Sequence, residues 1–251
     1  MSATQSGGAV VTPEQRGREI FEEADARNSG YGDLEVELQM ILRTARGVAT
    51  QRDLRIRQLE VPEDGDKVLV VFDAPADIRG TALLSHAHKI ADDDQWLYLP
   101  AIKRVKKIST RNRSSAFVGS EFSFEDLALP ELDKYRYRYL RDEDLDGQPC
   151  FVIERISIAE YSSYSRELYW LDMAEYRTLR VEYYDKRETP EKILKVTGYA
   201  RHQDQYWKAG RMLMENLRSG RSTELLWRNY QFGLGLGADR NFSVASLRRA
   251  R

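Results

Sequence analysis

The chain has 251 residues, with 39 Lys and Arg against 40 Asp and Glu and a formal net charge of -1. That balance excludes a whole-molecule field able to draw nucleic acid or an anionic membrane. One cysteine, Cys150, excludes an intrachain disulfide and is most simply a small core residue, and no run approaches the ~18 apolar residues of a membrane-spanning helix.

The opening MSATQSGGAV has no basic segment followed by an apolar run. Residues 1–11 therefore read as a disordered start, of the kind left when a signal peptide gives way to an initiator Met. Residues 12–251 read as one domain, since all-β barrels of this size commonly form a single unit. Thr12 as N-cap, Pro13 at the first helical position and Gln15 completing a capping box predict a helix. It carries Ile20, Phe21 and Ala24 on one stripe and ends near Asn28 to Gly30.

From Tyr31 the period becomes two, with Leu34, Val36, Leu38, Met40 and Leu42 on one face. RGVATQ predicts a turn and Asp53 to Val61 the returning strand, Leu54 and Ile56 facing one way, Arg55 and Arg57 the other. Further strands are predicted at Lys67–Phe72, Gly80–Ile90 and Gln95–Leu99, separated by the turn-rich PEDGD, DAPAD and ADDD. A basic, β-branched ladder then leads into a loop of closely spaced aromatics. KYRYRYLRDED, CFVIERISI, ELYWLD, TLRVEYYD, KILKVTGYAR, YWKAGRMLMEN and TELLWRNYQ complete the series. Helical pieces are predicted between Asn112 and Val118 and near Glu160 to Ser165. The fold class is mainly β (α+β), a meander of about eleven or twelve strands that curls into a barrel or deeply bent sheet because curvature reduces exposed edges.

Candidate chemistry is sparse. His86 and His88 share a strand face and could offer two imidazoles to one metal, but no Cys or patterned carboxylate completes a ligand set, and a hydrogen-bonded or solvated pair is the better account. Glu121, Glu125 and Asp126 are close in sequence, yet carboxylates are too common here to be specific for acid–base work. Gly233 to Gly237 (GLGLG) lacks the Lys-Ser/Thr of a phosphate loop and predicts a flexible turn. Lys103, Arg104, Lys106 and Lys107, near Trp96 and Tyr98, fit a solvated strand face or an anionic lipid headgroup better than nucleic acid. A non-catalytic binding protein without metal or organic cofactor is expected.

Trp96 to Pro100, then Lys103, Arg104, Val105 and Ile108, then Phe117, Gly119, Ser120, Phe122, Ser123, Glu125, Asp126 and Leu127 resemble the LolA-like outer-membrane lipoprotein-sorting protein family. The resemblance is to the branch whose motif ends F-x-G-S-D/E-F-S/T-Y-E-D-L. Val118 fills the variable place, Glu121 the acidic one, and Phe124 replaces the commoner Tyr. A looser match runs from Ile20 to about Leu247. The resemblance implies a half-open antiparallel barrel of about eleven strands, with the N-terminal helix and one or two short helices over an apolar concave face that accepts acyl chains. It also implies a periplasmic location and, for some members, a neighbouring transporter of the resistance-nodulation-division type. The arginine that locks the lid of the classical carrier cannot be placed by motif.

On the barrel so implied, Leu34, Val36, Leu38, Met40, Leu54, Ile56, Leu69, Val71, Trp96 and Tyr98 are the expected ligand-binding apolar face, with Met40, Met212 and Met214 as adaptable packing. Phe117, Gly119, Ser120, Phe122, Phe124 and Asp126 are the expected hinged rim. The expected partners are a lipid, a lipoprotein acyl chain or another amphiphile. The alternative is an adaptor docking on an envelope transporter, its barrel filled by its own side chains. The pattern alone does not separate a cavity from a filled core.

Overall fold

The computed structural model describes residues 11–129 and 131–249; the disordered start expected for the first residues falls almost wholly outside them. Six strands, β1 (Asp33–Arg43), β2 (Ala49–Leu59), β3 (Lys67–Ala74), β4 (Ala82–His86), β5 (Asp94–Leu99) and β6 (Arg104–Ile108), form one antiparallel meander. A second runs through β7 (Tyr135–Leu145), β8 (Gln148–Ser157), β9 (Tyr164–Asp172), β10 (Thr178–Asp185) and β11 (Pro190–Thr197). Between β11 and the next strand of the sheet lies a separate hairpin of β12 (Ala200–His202) and β13 (Tyr206–Lys208). Then β14 (Arg211–Asn216) and β15 (Ser222–Phe232) join the two meanders, β14 on β11 and β15 on β1. The result is one 13-stranded open antiparallel sheet in the order 6-5-4-3-2-1-15-14-11-10-9-8-7, whose edges β6 and β7 do not pair. This is the half-open fold expected, with more strands.

The extra strands have a local cause. KILKVTGYAR and YWKAGRMLMEN each break at a glycine, Gly198 (φ +66°) and Gly210. A Cβ on Gly210 would stand 2.6 Å from the Gly198 carbonyl oxygen, so the two strands cross backbone to backbone where the β12–β13 hairpin leaves the sheet. The strand β2 begins at Ala49, earlier than its alternation suggests, because Ala49 to Arg52 pair with Arg43 to Met40.

The first helix, α1 (Pro13–Asn28), has the expected capping box: Gln15 N–H donates to Thr12 Oγ1 (3.2 Å) and Thr12 N–H to Gln15 Oε1 (2.9 Å). It lies on β7 so closely that a Cβ on Gly17 would come within 2.7 Å of the Tyr139 nitrogen. Phe21 packs on Tyr137 and Tyr169 at ring-centroid distances of 4.6 and 5.2 Å.

Neither helical piece predicted mid-chain is an α-helix. Residues 112–118 contribute only to two 3-10 turns, Thr110–Asn112 and Phe117–Gly119, because Val118 is left-handed (φ 46°) and the backbone closes on itself as a small loop. There Phe117 N–H donates to Phe122 O (2.8 Å) and Phe124 N–H to Ser115 O (3.1 Å). Residues 160–163 are a turn, and Tyr164 already begins β9. Two short helices that the periodicity does not indicate, α2 (Ala238–Asn241) and α3 (Val244–Leu247), close the chain.

Candidate functional site

The curled sheet turns one face of its strands onto a common interior. Register places Leu38 opposite Leu54 and Val36 opposite Ile56, so the six residues expected on β1 and β2 (Leu34, Val36, Leu38, Met40, Leu54, Ile56) do share the concave face. The same register continues through Phe72, Val70 and Leu83 on one side, and through Leu225, Met214, Leu194, Val181 and Tyr169 on the other.

Leu69, Val71, Trp96 and Tyr98 are on the opposite, convex face, and their expected place in the ligand-binding face is corrected. Leu69 and Val71 pair with Arg57 and Arg55, and Trp96 and Tyr98 with Leu84 and Ala82. They form a second apolar cluster beneath Phe242 and Leu247 of the C-terminal segment. KVLVVF and GTALLSH are continuous apolar runs because β3 and β4 are buried on both faces, so period two could not choose a face for them. The GLGLG segment leads into this cover: Leu234 and Leu236 N–H donate to the Asp33 carboxylate at 2.6 and 2.9 Å.

The aromatic motif is not a rim either. Phe117, Phe122 and Phe124 are 1, 4 and 6 % exposed and sit in the concave core, Phe117 against Phe72 and Phe124 at 5.6 Å each. Polar residues of the motif pin the segment to the far wall. Asp126 accepts from Tyr164 OH (2.8 Å), Ser123 N–H (2.7 Å) and Lys192 Nζ (3.0 Å), while Lys192 also donates to Tyr164 OH (2.7 Å). Glu121 accepts from Asn216 Nδ2 (2.8 Å) and lies 3.0 Å from Arg221 Nε, and its N–H donates to Thr223 Oγ1 (2.9 Å). Glu125 accepts from Ser163 N–H and Oγ at 2.9 and 2.7 Å. Ser120 Oγ bonds to Phe122 O (3.1 Å), and Gly119 takes the left-handed backbone (φ 76°) that turns the loop.

A second buried charge pair lies beneath α1. Arg155 Nε donates to Glu167 Oε2 (2.6 Å), and its guanidinium stacks over Tyr135 and Tyr169 at 4.0 and 4.5 Å. Burial pushes the Glu167 carboxyl up, and Arg155 opposes that. Lys192, Arg155 and Glu167 were not foreseen, although a signal exists: each stands in phase with apolar neighbours on its strand, Lys192 with Leu194 and Val196, Arg155 with Phe151 and Ile153, Glu167 with Tyr169 and Leu171.

The β12–β13 hairpin fills one end of the interior. Tyr206 stacks on Phe232 (6.1 Å), Phe232 on Tyr230 (6.2 Å) and Tyr230 on Trp227 (6.5 Å), with His202 4.9 Å from Tyr230. Two recesses hold about 170 and 180 Å3. One lies at Glu37, Asp53, Arg55 and Asp73, the other between the motif segment and Lys192. Both fall below the ~300 Å3 at which small-molecule pockets usually begin. The motif aromatics and the Ile20 side chain of α1 pack into the same core as the concave residues of the sheet.

The histidines are structurally engaged. His86 bonds through Nε2 to Phe242 O (2.6 Å), and His88 lies 2.6 Å from Asp64 and 3.4 Å from Asp94. Among the described residues no group of His, Cys, Asp and Glu could hold a metal ion. Burial pushes the Cys150 thiol up to about 11, well away from a reactive thiolate. No helix of the described residues is long and apolar enough to cross a membrane.

A family model described as that of an uncharacterized protein matches residues 64–249. A solved structure from Vibrio parahaemolyticus, described as an outer membrane lipoprotein-sorting protein domain, is 45% identical, with 94% of this chain and 100% of that chain aligned at a TM-score of 0.91. This chain belongs to the family of that lipoprotein-sorting domain. A DUF1329 family protein from Desulfovibrio piger is 28% identical over 94% and 99% of the two chains, at a TM-score of 0.89. The LolA superfamily protein NE2245 from Nitrosomonas europaea shares the fold, at 20% identity, 91% and 98% coverage and a TM-score of 0.73. No protein among those curated for function matches.

In this lipoprotein-sorting family member the hairpin is docked on α1 by Lys208. Lys208 Nζ donates to Asn28 Oδ1 (2.9 Å) and stands 4.2 Å over the Tyr31 ring. Burial brings its pKa down to about 8, against the opposing pull of Glu60 and Asp66. Between pH 8 and the ordinary lysine value the unfolded chain holds a proton that the folded one has lost, so this residue makes stability rise with pH across that window. Urea unfolding of the wild type and Lys208→Met at pH 7, 8 and 9.5 should show the wild type gaining on the variant as pH rises. A difference that is flat or falls with pH would refute the assignment. Comparing the pair cancels the buried tyrosines, whose raised phenol pKa values act in the opposite sense above pH 10.

Proposed function

We propose that residues 12–251 act as one non-catalytic periplasmic carrier for the acyl part of a lipoprotein, lipid or other amphiphile. The observation that carries this is the concave face itself. Apolar side chains run across the sheet, interrupted by the buried Lys192 and the Arg155–Glu167 pair, and pack against α1 and the aromatic motif segment, neither of which is a strand of that sheet. Elements held by side chains, rather than by a strand ladder, can lift away and leave the sheet intact. An acyl chain of roughly fifteen carbons represents about 12 kcal/mol of gross transfer free energy at ~0.8 kcal/mol per CH2, enough to displace a few buried rings. A transporter of the resistance-nodulation-division type is the expected donor or acceptor.

Binding of a fluorescent acyl probe tests this. Leu38→Glu puts a charge at the centre of the concave face and should abolish probe binding, while a double His86→Ala/His88→Ala variant should bind as the wild type does, once circular dichroism has shown both to be folded. Undiminished binding by folded Leu38→Glu would remove the concave face from consideration. The packing of the motif aromatics into the core favours a second role, that of an adaptor docking on an envelope transporter without cargo. Mass spectrometry of organic extracts of protein purified from its native envelope separates the two, since a carrier brings lipid with it and an adaptor does not.

A further inference from the structure

Residues 103–113 hold six cations, Lys103, Arg104, Lys106, Lys107, Arg111 and Arg113, and no carboxylate, in a chain whose overall charge is -1. The sheet lays Arg104, Lys106 and Lys107 along one margin, because β6 is a terminal strand paired only with β5, and Lys103 leads into it. Lys107 is paired with Asp94 (2.6 Å), Arg111 stacks over Tyr161 (5.3 Å), and Arg113 donates to the Asp93 carbonyl. Lys103, Arg104 and Lys106 are exposed and have no ion-pair partner among the described residues. The other margin, β7, differs: it mixes Arg136, Arg138 and Arg141 with Asp142, Glu143 and Asp144, and α1 packs on it.

Lysines on an edge strand keep it from pairing with another sheet. Blunting does not account for the exposed apolar residues beside them. Ile102, in the turn that delivers Lys103, is 59 % exposed, and Ile90, in the loop between β4 and β5, is 98 % exposed. They mark the two ends of the six-residue strand β5, a span of about 20 Å. Cations flanked by aliphatic tips match a planar boundary with charged headgroups outside and hydrocarbon beneath.

We propose that the β6 margin is a docking surface for an anionic membrane, with acidic phospholipid headgroups on Lys103, Arg104, Lys106 and Lys107 and with Ile102 and Ile90 entering the headgroup layer. Near an anionic surface each such cation is worth roughly fivefold in partition coefficient. An acidic protein partner would meet the charges but gives no reason for exposed isoleucines at both ends. The margin borders the concave core, since Ile108 of β6 belongs to it and Lys106 pairs with Leu97, so vesicle binding and acyl-probe binding are measured separately.

Cosedimentation of the full chain with vesicles tests it. The protein should partition onto phosphatidylglycerol–phosphatidylcholine vesicles at low salt and not onto pure phosphatidylcholine, and should be released as salt shortens the Debye length from about 10 Å to about 3 Å. Arg104→Gln/Lys106→Gln, at exposed positions, should lower partition roughly twenty-five-fold, and Ile102→Ser should lower it further at fixed salt. Absence of binding to anionic vesicles, or equal binding by the wild type and both variants, would overturn the proposal. So would tighter capture by a poly-glutamate peptide than by the vesicles, which would reassign the margin to an acidic protein. Acyl-probe binding measured on the same variants should be unchanged. Its loss in the wild type alongside retained vesicle binding would end the carrier proposal and leave the membrane surface standing.

Discussion

Asp126→Ala is expected to destabilise the protein by about 3–5 kcal/mol, the range for removing one partner of a buried charge pair. The Asp126 side chain is 1 % exposed and is the sole carboxylate bonded to Lys192 among the described residues. Without it, a buried ammonium keeps only the Tyr164 hydroxyl at 2.7 Å, and the Ser123 N–H loses its acceptor. For a chain of this size the loss corresponds to a fall in melting temperature of roughly 6–20 °C. The effect should also be local. Amide exchange at Phe117, Phe124 and Glu125, whose N–H groups bond within the motif loop, should accelerate more than exchange in β8 and β9. Uniform acceleration over the whole chain would show that Asp126 holds the fold in general and not the motif segment in particular. On the carrier proposal, the milder Asp126→Asn loosens the cover and should raise acyl-probe affinity.

Arg155→Ala should cost a similar 3–5 kcal/mol, for two reasons that can be separated. It strands the Glu167 carboxylate beneath α1, and it removes a guanidinium packed between Tyr135 and Tyr169. The double replacement Arg155→Met/Glu167→Met leaves no unpaired charge and keeps most of the volume, so it should recover most of the stability in urea unfolding. If the double variant is as unstable as Arg155→Ala, the stacked guanidinium and not the ion pair supports this wall. The cycle also reports on α1, because Phe21 reaches the same two tyrosine-bearing strands, at Tyr137 and Tyr169.

The elements legible in advance are those whose signal is local. Thr12, Pro13 and Gln15 are sufficient for the start of α1, since a capping box involves only residues three apart. The alternation from Leu34 to Leu42 places β1 and its concave side chains correctly, because one face of that strand is polar. Alternation fails two strands later, at β3. In β3 and β4 both faces are apolar and the period disappears, so Leu69 and Val71 are assigned to the wrong side of the sheet, and Trp96 and Tyr98 of β5 follow them. Glycine explains the miscounted strands: the crossing of Gly198 and Gly210 is a contact between residues twelve positions apart that alternation on either side cannot reveal.

The residues alone specify a β-rich protein with a capped N-terminal helix, one long hairpin readable face by face, and a family motif from Phe117 to Leu127. Tertiary structure alone decided that the motif points inward, with Asp126 meeting Lys192 and Tyr164, and that the C-terminal segment covers a second apolar face. The physical reason is that period and propensity report which side of a strand is apolar. What covers that side depends on long-range register and on side chains brought together from opposite ends of the chain.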